Sequence, residues 1–449
     1  MKPTLILFAI PILALLPFSA TAQKAEKKSG GGDPFIKDDG SGLGEEVEKA
    51  ASKAAKNSPK SYSNVGAFVQ WIDVKRETWE SWLENHAVPL DAGKLRQQAE
   101  TWIAEGEAEL AETTLVVGRS GQRSLVQSAR KIYYPTGFDP GKGAHPFPIP
   151  FDCREEGTIL EIDPVLGNAG AVDLNLAPTR VHYRGENPPR QPGVGIEPTD
   201  IRWPDFQLLK ATAQLELDSD QWALLGSEQP LDERDTHRTL IFVRSVVHQF
   251  EASASKEPVA EGTMKFEWIQ IDHASLNQEL LSSEKLGRQV EGGLHEWVGE
   301  SEGKLLETRT LRFRSGQRVK NESVEELIHP TEYRQGEAGV PSLPRANETV
   351  NVGITVETDP IFEAGGDAVL VNLAAEWVTR HGTTTHHRVQ INGEWVPDVT
   401  FPHLYEMQST SQISVPMNVP TLVSIMSPPG EEGVTDTSRK VLLFLTVSR

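Results

Sequence analysis

The pentapeptide Arg-Ser-Gly-Gln-Arg occurs twice, as Arg119, Ser120, Gly121, Gln122, Arg123 and as Arg314, Ser315, Gly316, Gln317, Arg318, a displacement of 314 − 119 = 195 positions. Its flanks recur in the same order. Trp102-Ile103 matches Trp297-Val298, Pro135-Thr136 matches Pro330-Thr331, and Asp163-Pro164 matches Asp359-Pro360. Asn175-Leu176-Ala177 matches Asn372-Leu373-Ala374, and Trp203-Pro204 matches Phe401-Pro402. Ordered matches that drift only by small gaps predict a tandem duplication, and the period is far too long for a solenoid. The expectation is two domains of one kind, at 61–254 and 262–449, joined by a short Pro-containing linker, 255–262.

Ahead of them, Lys2, an apolar run from Leu5 to Leu16 and Ser19-Ala20-Thr21-Ala22 form the three parts of an export leader, cut after Ala22. Residues 23–60 are rich in Lys, Gly, Ser, Ala and Glu and bury too little to offset ordering entropy, so they read as a disordered tether. A net charge of −20 and a pI near 5.1 argue against nucleic acid and anionic membrane as partners. The single cysteine, Cys153, excludes an internal disulfide and reads as a half-buried small hydrophobe.

Each repeat opens with a β-run (Ala67 to Val74; Met264 to Ile271), and two helical stretches follow. Leu95, Ala99, Trp102 and Ile103 form one apolar helix face in the first copy; Val290, Leu294, Trp297 and Val298 form it in the second. Alternating runs such as Val172 to Leu176 predict strands with one wet face, and Thr239 to Val247 and Val441 to Val447 predict strands covered on both. Between the alternating runs and Trp203-Pro204 or Phe401-Pro402, Pro, Gly and charge predict a loop. The expected fold class is α+β: two tandem homologous domains, each a helical pair packed on a mostly antiparallel sheet.

Ser120-Gly121-Gln122-Arg123, Tyr134-Pro135-Thr136 and Gly157 to Pro164 together resemble the C-terminal half of the secretin domain, found in the channels of type II and type III secretion and of type IV pili. Gly170 to Leu176, Gln221 to Gly226 and Leu240-Ile241-Phe242-Val243 continue that order; Gly353 to Pro360, Thr421 to Ser424 and Leu442 to Val447 repeat it. The chain departs from the family at the membrane lip. Gly226-Ser227 and Ser427-Pro428-Pro429 stand where a glycine pair belongs, followed by short charged connectors, Glu228–His237 and Glu431–Arg439. The resemblance implies two degenerate copies of a secretin-like unit that form no outer-membrane pore.

Sites of chemistry are sparse. The Gly137 to Gly143 turn is one residue short of a phosphate loop and lacks its Ser/Thr. Arg-Ser-Gly-Gln lacks the Gly-x-Ser-x-Gly elbow of hydrolases, so both copies read as structural turns, with Gly121 and Gly316 at positive φ. His381, His386 and His387 read as a wet hairpin tip rather than a metal site, since no carboxylate or Cys stands at ligand spacing. No catalytic residue, cofactor or metal is expected. The expected product is a non-enzymatic exported structural or adaptor protein of a Gram-negative-type periplasm, accessory to a secretion or pilus assembly. Its partners are other envelope proteins or copies of itself. The alternative is a periplasmic ligand- or glycan-binding protein on a β-rich frame, signalled by Trp203 or Trp395 in a concave face.

Overall fold

Long strands make up most of the chain, some with period-two burial and others buried continuously. A computed structural model describes residues 60–139, 147–167, 170–187, 203–229, 236–252, 261–337, 339–363 and 366–449. The leader, nearly all of the tether and most of the 255–262 join lie outside the described residues, as does the latter part of the Gly137 to Gly143 turn.

In chain order the first half holds β1 (Lys60–Lys75), α1 (Arg76–Asn85), α2 (Gly93–Ala104), β2 (Ala108–Arg119), β3 (Ser124–Pro135), β4 (Phe138–Asp139), β5 (Phe147–Pro148), β6 (Phe151–Leu166), β7 (Val172–Asn187), β8 (Trp203–Lys210), β9 (Ala213–Leu217), β10 (Trp222–Glu228) and β11 (His237–Ala252). The second holds β12 (Glu261–Asp272), α3 (His273–Ser282), α4 (Leu286–Val290), α5 (Gly293–Glu300), β13 (Lys304–Arg314), β14 (Val319–Arg334), β15 (Leu343–Phe362), β16 (Ala368–Ile391), β17 (Glu394–Pro416), β18 (Thr421–Met426) and β19 (Arg439–Ser448).

Two antiparallel sheets share one core, and both run through both halves. The eight-stranded sheet has the order β10-β11-β1-β2-β18-β19-β12-β13. The nine-stranded sheet has the order β14-β15-β16-β17-β3-β6-β7-β8, with β9 also on β7. In the nine-stranded sheet β6 alternates, burying Thr158, Leu160, Ile162 and Pro164 against the core and leaving the residues between them wetter. In the eight-stranded sheet, Val65 to Ile72 of β1 and Val441 to Leu445 of β19 are buried throughout. Such strands need cover on both faces. The nine-stranded sheet supplies one side, and the helices supply the other through Leu95, Ala99 and Trp102 of α2 and Leu276 and Leu280 of α3.

The fold is therefore mainly β, which corrects the α+β expectation. Helices form a thin layer on one sheet and do not make up half of each unit. The second apolar helix face is split: Val290 ends α4 while Leu294 and Val298 lie on α5, because Gly292 between them takes φ 88°. The loop expected before Phe401-Pro402 is strand instead, for a physical reason. Arg380 to Thr400, polar and Thr/His-rich, belongs mostly to β16 and β17, whose ladder bonds form without a strong apolar alternation.

Candidate functional site

The two halves meet edge to edge in both sheets. In the eight-stranded sheet β2 pairs β18, with Val116 opposite Ser424 and Leu115 opposite Ile425, and the Thr114 hydroxyl donates to the Ile425 carbonyl at 3.1 Å. In the other sheet β17 pairs β3 from Leu404↔Lys131 to Thr410↔Leu125. Under this seam lies an ion pair, Glu112 of β2 with Lys440 of β19, both essentially without solvent exposure. Lys440 Nζ donates to Ser427 Oγ at 2.6 Å, and Ser427 Oγ donates to Glu112 Oε1 at 2.9 Å. The Thr113 N–H adds a further bond to Glu112 Oε1 at 2.8 Å. Burial alone pushes the Glu112 carboxyl up, but the adjacent Lys440 ammonium outweighs it and leaves it below its ordinary value. Burial in turn pushes the Lys440 ammonium down, against the pull of Glu112 that raises it.

The outer edges carry the counterparts of the strands joined inside. Register defines these counterparts. Trp71 lies opposite Glu112 on β2, and Trp268 lies opposite Glu307 on β13. Leu224 lies opposite Phe242, and Leu422 lies opposite Phe444, which matches β10 with β18. Among the described residues β10 and β13 each pair on one side only, and so do β14 and β8.

Both Arg-Ser-Gly-Gln-Arg stretches are tight turns with the same bonds. Gly121 has φ 78° and Gly316 φ 75°. Gly121 N donates to the Pro164 carbonyl at 2.7 Å and Gly316 N to that of Pro360 at 2.8 Å. Ser120 Oγ accepts from Leu166 N at 2.9 Å, and Ser315 Oγ accepts from Phe362 N at 3.0 Å. Arg123 pairs with Glu161 at 2.9 Å, and Arg318 with Glu357 at 2.8 Å and Asp359 at 3.0 Å. Gln122 and Gln317 close the turns through backbone bonds to Arg119 and Arg314. Arg119 of the first turn also lies 4.0 Å from Glu363, the residue after the Phe362 whose N–H bonds Ser315 of the second.

The three histidines are not at a hairpin tip. They lie along β16, and the tip is Asn392-Gly393, with φ 53° and 90°. His386 packs edge-on against Phe151 and Phe401, and burial pushes it down to about 4. His387 Nδ1 lies 2.7 Å from Asp398 Oδ2, a carboxylate that the sequence spacing did not reveal. His381 bonds Thr379 Oγ1 at 2.7 Å instead. Among the described residues no group of three or more His, Cys, Asp or Glu is arranged to hold a metal. Beside His386 is an open cleft of about 590 Å³ lined by Tyr133, Tyr134, Phe401 and Arg130. Neither Trp203 nor Trp395 lines it; Trp203 lies edge-on to Phe138, and Trp395 is exposed. Cys153 is exposed on β6, correcting its half-buried expectation, because it falls in the wetter start of that strand.

No family model and no curated protein matches the chain. Among solved structures it is similar to the type II secretin GspD of enteropathogenic Escherichia coli, at 8% identity and TM-score 0.20, over 45% of this chain and 74% of that one. It is similar to the type IV competence pilus secretin PilQ of V. cholerae, at 7% identity and TM-score 0.22, over 90% of this chain and 64% of that one. A third likeness is to the Salmonella SPI-1 type III secretion injectisome secretin InvG, at 11% identity and TM-score 0.22, over 58% and 80%. The chain thus spans less than two thirds of the pilus secretin's length. Superpositions this loose assign neither an assembly nor a function.

Sequence reading missed the Glu112–Lys440 pair. A signal was present: Glu307 follows Glu112 at the same displacement of 195 as the pentapeptide, and Lys440, after Arg439, opens an apolar strand. Their proximity, across 328 positions, was not readable. Among the described residues, no helix is long and apolar enough to cross a membrane.

Proposed function

We propose that this chain is a non-enzymatic structural subunit whose two halves are copies of one secretin-like unit, and that copies of the chain join edge to edge in an exported envelope assembly. One observation carries the reading. β2 of the first half meets β18 of the second, while the open edges, β10 and β13, are the counterparts of β18 and β2. In the other sheet β17 meets β3, and the open edges β8 and β14 are in turn the counterparts of β17 and β3. Both sheets are open in the same sense, so repeating the internal contact between chains continues both at once. Such a heterologous contact closes into a ring or runs on as a filament. Unpaired edges are a liability that native proteins normally cover.

The leader at 1–22 and the secretin-like motifs support an envelope location, accessory to secretion or pilus machinery. The charged connectors Glu228–His237 and Glu431–Arg439 support a subunit that lies beside the membrane and forms no pore of its own, since charge against lipid is costly. The ligand- or glycan-binding alternative has the aromatic cleft in its favour, without the tryptophans that would stack a sugar.

The test is the size of purified chain 23–449, by light scattering and negative-stain electron microscopy over a concentration series. Rings or filaments with one repeating contact are expected. A monomer at every concentration would overturn the proposal.

A further inference from the structure

We infer that Glu307 on the β13 edge forms a buried ion pair with Arg238 of the next copy, and that this pair sets the register of assembly. The inference rests on the edge-to-edge reading above and adds the residues that would enforce it.

Glu307 reproduces Glu112 in detail. Each lies opposite a buried tryptophan, Trp268 or Trp71, and the ladder slips by one residue at the next step in both cases. Each folds its carboxylate onto the following N–H, Glu112 on Thr113 at 2.8 Å and Glu307 on Thr308 at 2.9 Å. Arg238 occupies the place of Lys440: it lies opposite Val74 on β1 as Lys440 lies opposite Ile271 on β12. The inner seam thus has its acid on the β2 edge and its base one strand behind the β18 edge. The outer edges keep that arrangement with the same signs.

Their states differ from the inner pair as an unfinished contact should. Glu112 and Lys440 side chains are 2% and 0% exposed, whereas Glu307 is 32% exposed and Arg238 15%. Glu307 meanwhile holds Arg309 of its own strand at 2.7 Å, while Arg238 donates to the His237 carbonyl at 2.7 Å and lies 3.5 Å from Glu80, itself 48% exposed. Both contacts keep more solvent than the inner pair, so closing the edge would desolvate them as the inner seam desolvates Glu112 and Lys440. Repeating the inner register puts Leu311 opposite Gly226 and Thr310 opposite Ser227 of the next copy, and it brings Glu307 to that copy's Arg238. An arginine at such a site has the fixed donor geometry to hold a carboxylate at two points.

The test uses chain 23–449 carrying Glu307→Lys, Arg238→Glu, or both, with circular dichroism and thermal melting to establish that each variant is folded. Assembly is read by sedimentation velocity. Each single reversal, alone, should raise the concentration for half-assembly by about tenfold or more, because it faces like charges in a desolvated contact. A mixture of the two single variants should assemble again, since with the two kinds of copy alternating, every contact sets one acid against one base. The double variant should also assemble alone. Wild-type assembly combined with unaffected single variants, or with a mixture that stays apart, would overturn the pair and leave the edge-to-edge reading standing. A symmetric dimer or a strictly monomeric wild type would overturn both.

Discussion

Asn64 and Ser414, 350 positions apart, bind each other through both amide groups: Asn64 Nδ2 donates to the Ser414 carbonyl at 2.7 Å, and Ser414 N donates to Asn64 Oδ1 at 2.9 Å. All four atoms are buried, and the contact ties β1 of one sheet to β17 of the other. Asn64→Ala strips a buried N–H and a buried carbonyl of their partner at once. Each unsatisfied group costs roughly 1–3 kcal/mol, so a loss on the order of 2 kcal/mol or more is expected in urea denaturation. A change within a few tenths of wild type would mean that the two groups find other partners.

The Glu112–Lys440 pair should behave as a buried charge pair. Lys440→Met alone leaves Glu112 charged in the core, at a cost of roughly 3–5 kcal/mol. The double variant Glu112→Leu with Lys440→Met removes both charges and should recover most of that. The comparison is a double-mutant cycle in urea with Glu112→Leu as the other single variant; a double-variant loss equal to the sum of the two single losses would show no coupling.

The glycines separate into two kinds. Gly121 and Gly316 need only their positive φ, as a Cβ on either meets nothing within 4 Å. Alanine there should cost about 1 kcal/mol. Gly157 and Gly353 have φ 142° and 136°, and a Cβ would lie 2.1 Å from the Ser128 carbonyl oxygen or 2.2 Å from that of Ser323. Alanine at either should therefore lower the thermal midpoint several times more than Gly121→Ala does.

Three histidines make the fold sensitive to acid. Burial pushes His248, His273 and His386 each down to about 4. An unfolded histidine titrates near 6.5. Between those values the unfolded chain binds the extra protons, so stability is full above about pH 6.5 and falls as pH drops toward 4. The slope is about 1.4 kcal/mol per pH unit per histidine. Melting curves from pH 8 to pH 4 should show the fall. His248→Gln should flatten part of it; an unchanged slope would place the protonation elsewhere. Asn64 and the Glu291 carboxylate, 3.7 Å away, face His248.

What the amino-acid order determined by itself is local. A glycine between Ser120 and Gln122 in a short polar stretch commits the backbone to a tight turn, and alternation from Thr158 to Ile162 commits β6 to one buried face, because both depend on neighbours in the chain. Tertiary structure decided the rest. Nothing in the order of residues indicated that β2 would sit beside β18, or that both sheets would run through both halves; edge pairing between distant strands is set by which edges meet, not by local pattern. The same holds for Arg380 to Thr400, whose polar residues became ladder because partner strands were there to bond them. Lys440 shows it most directly. Its charge, next to an apolar strand, reads as a wet terminus until Glu112 and Ser427, brought in from elsewhere, replace the water it gives up.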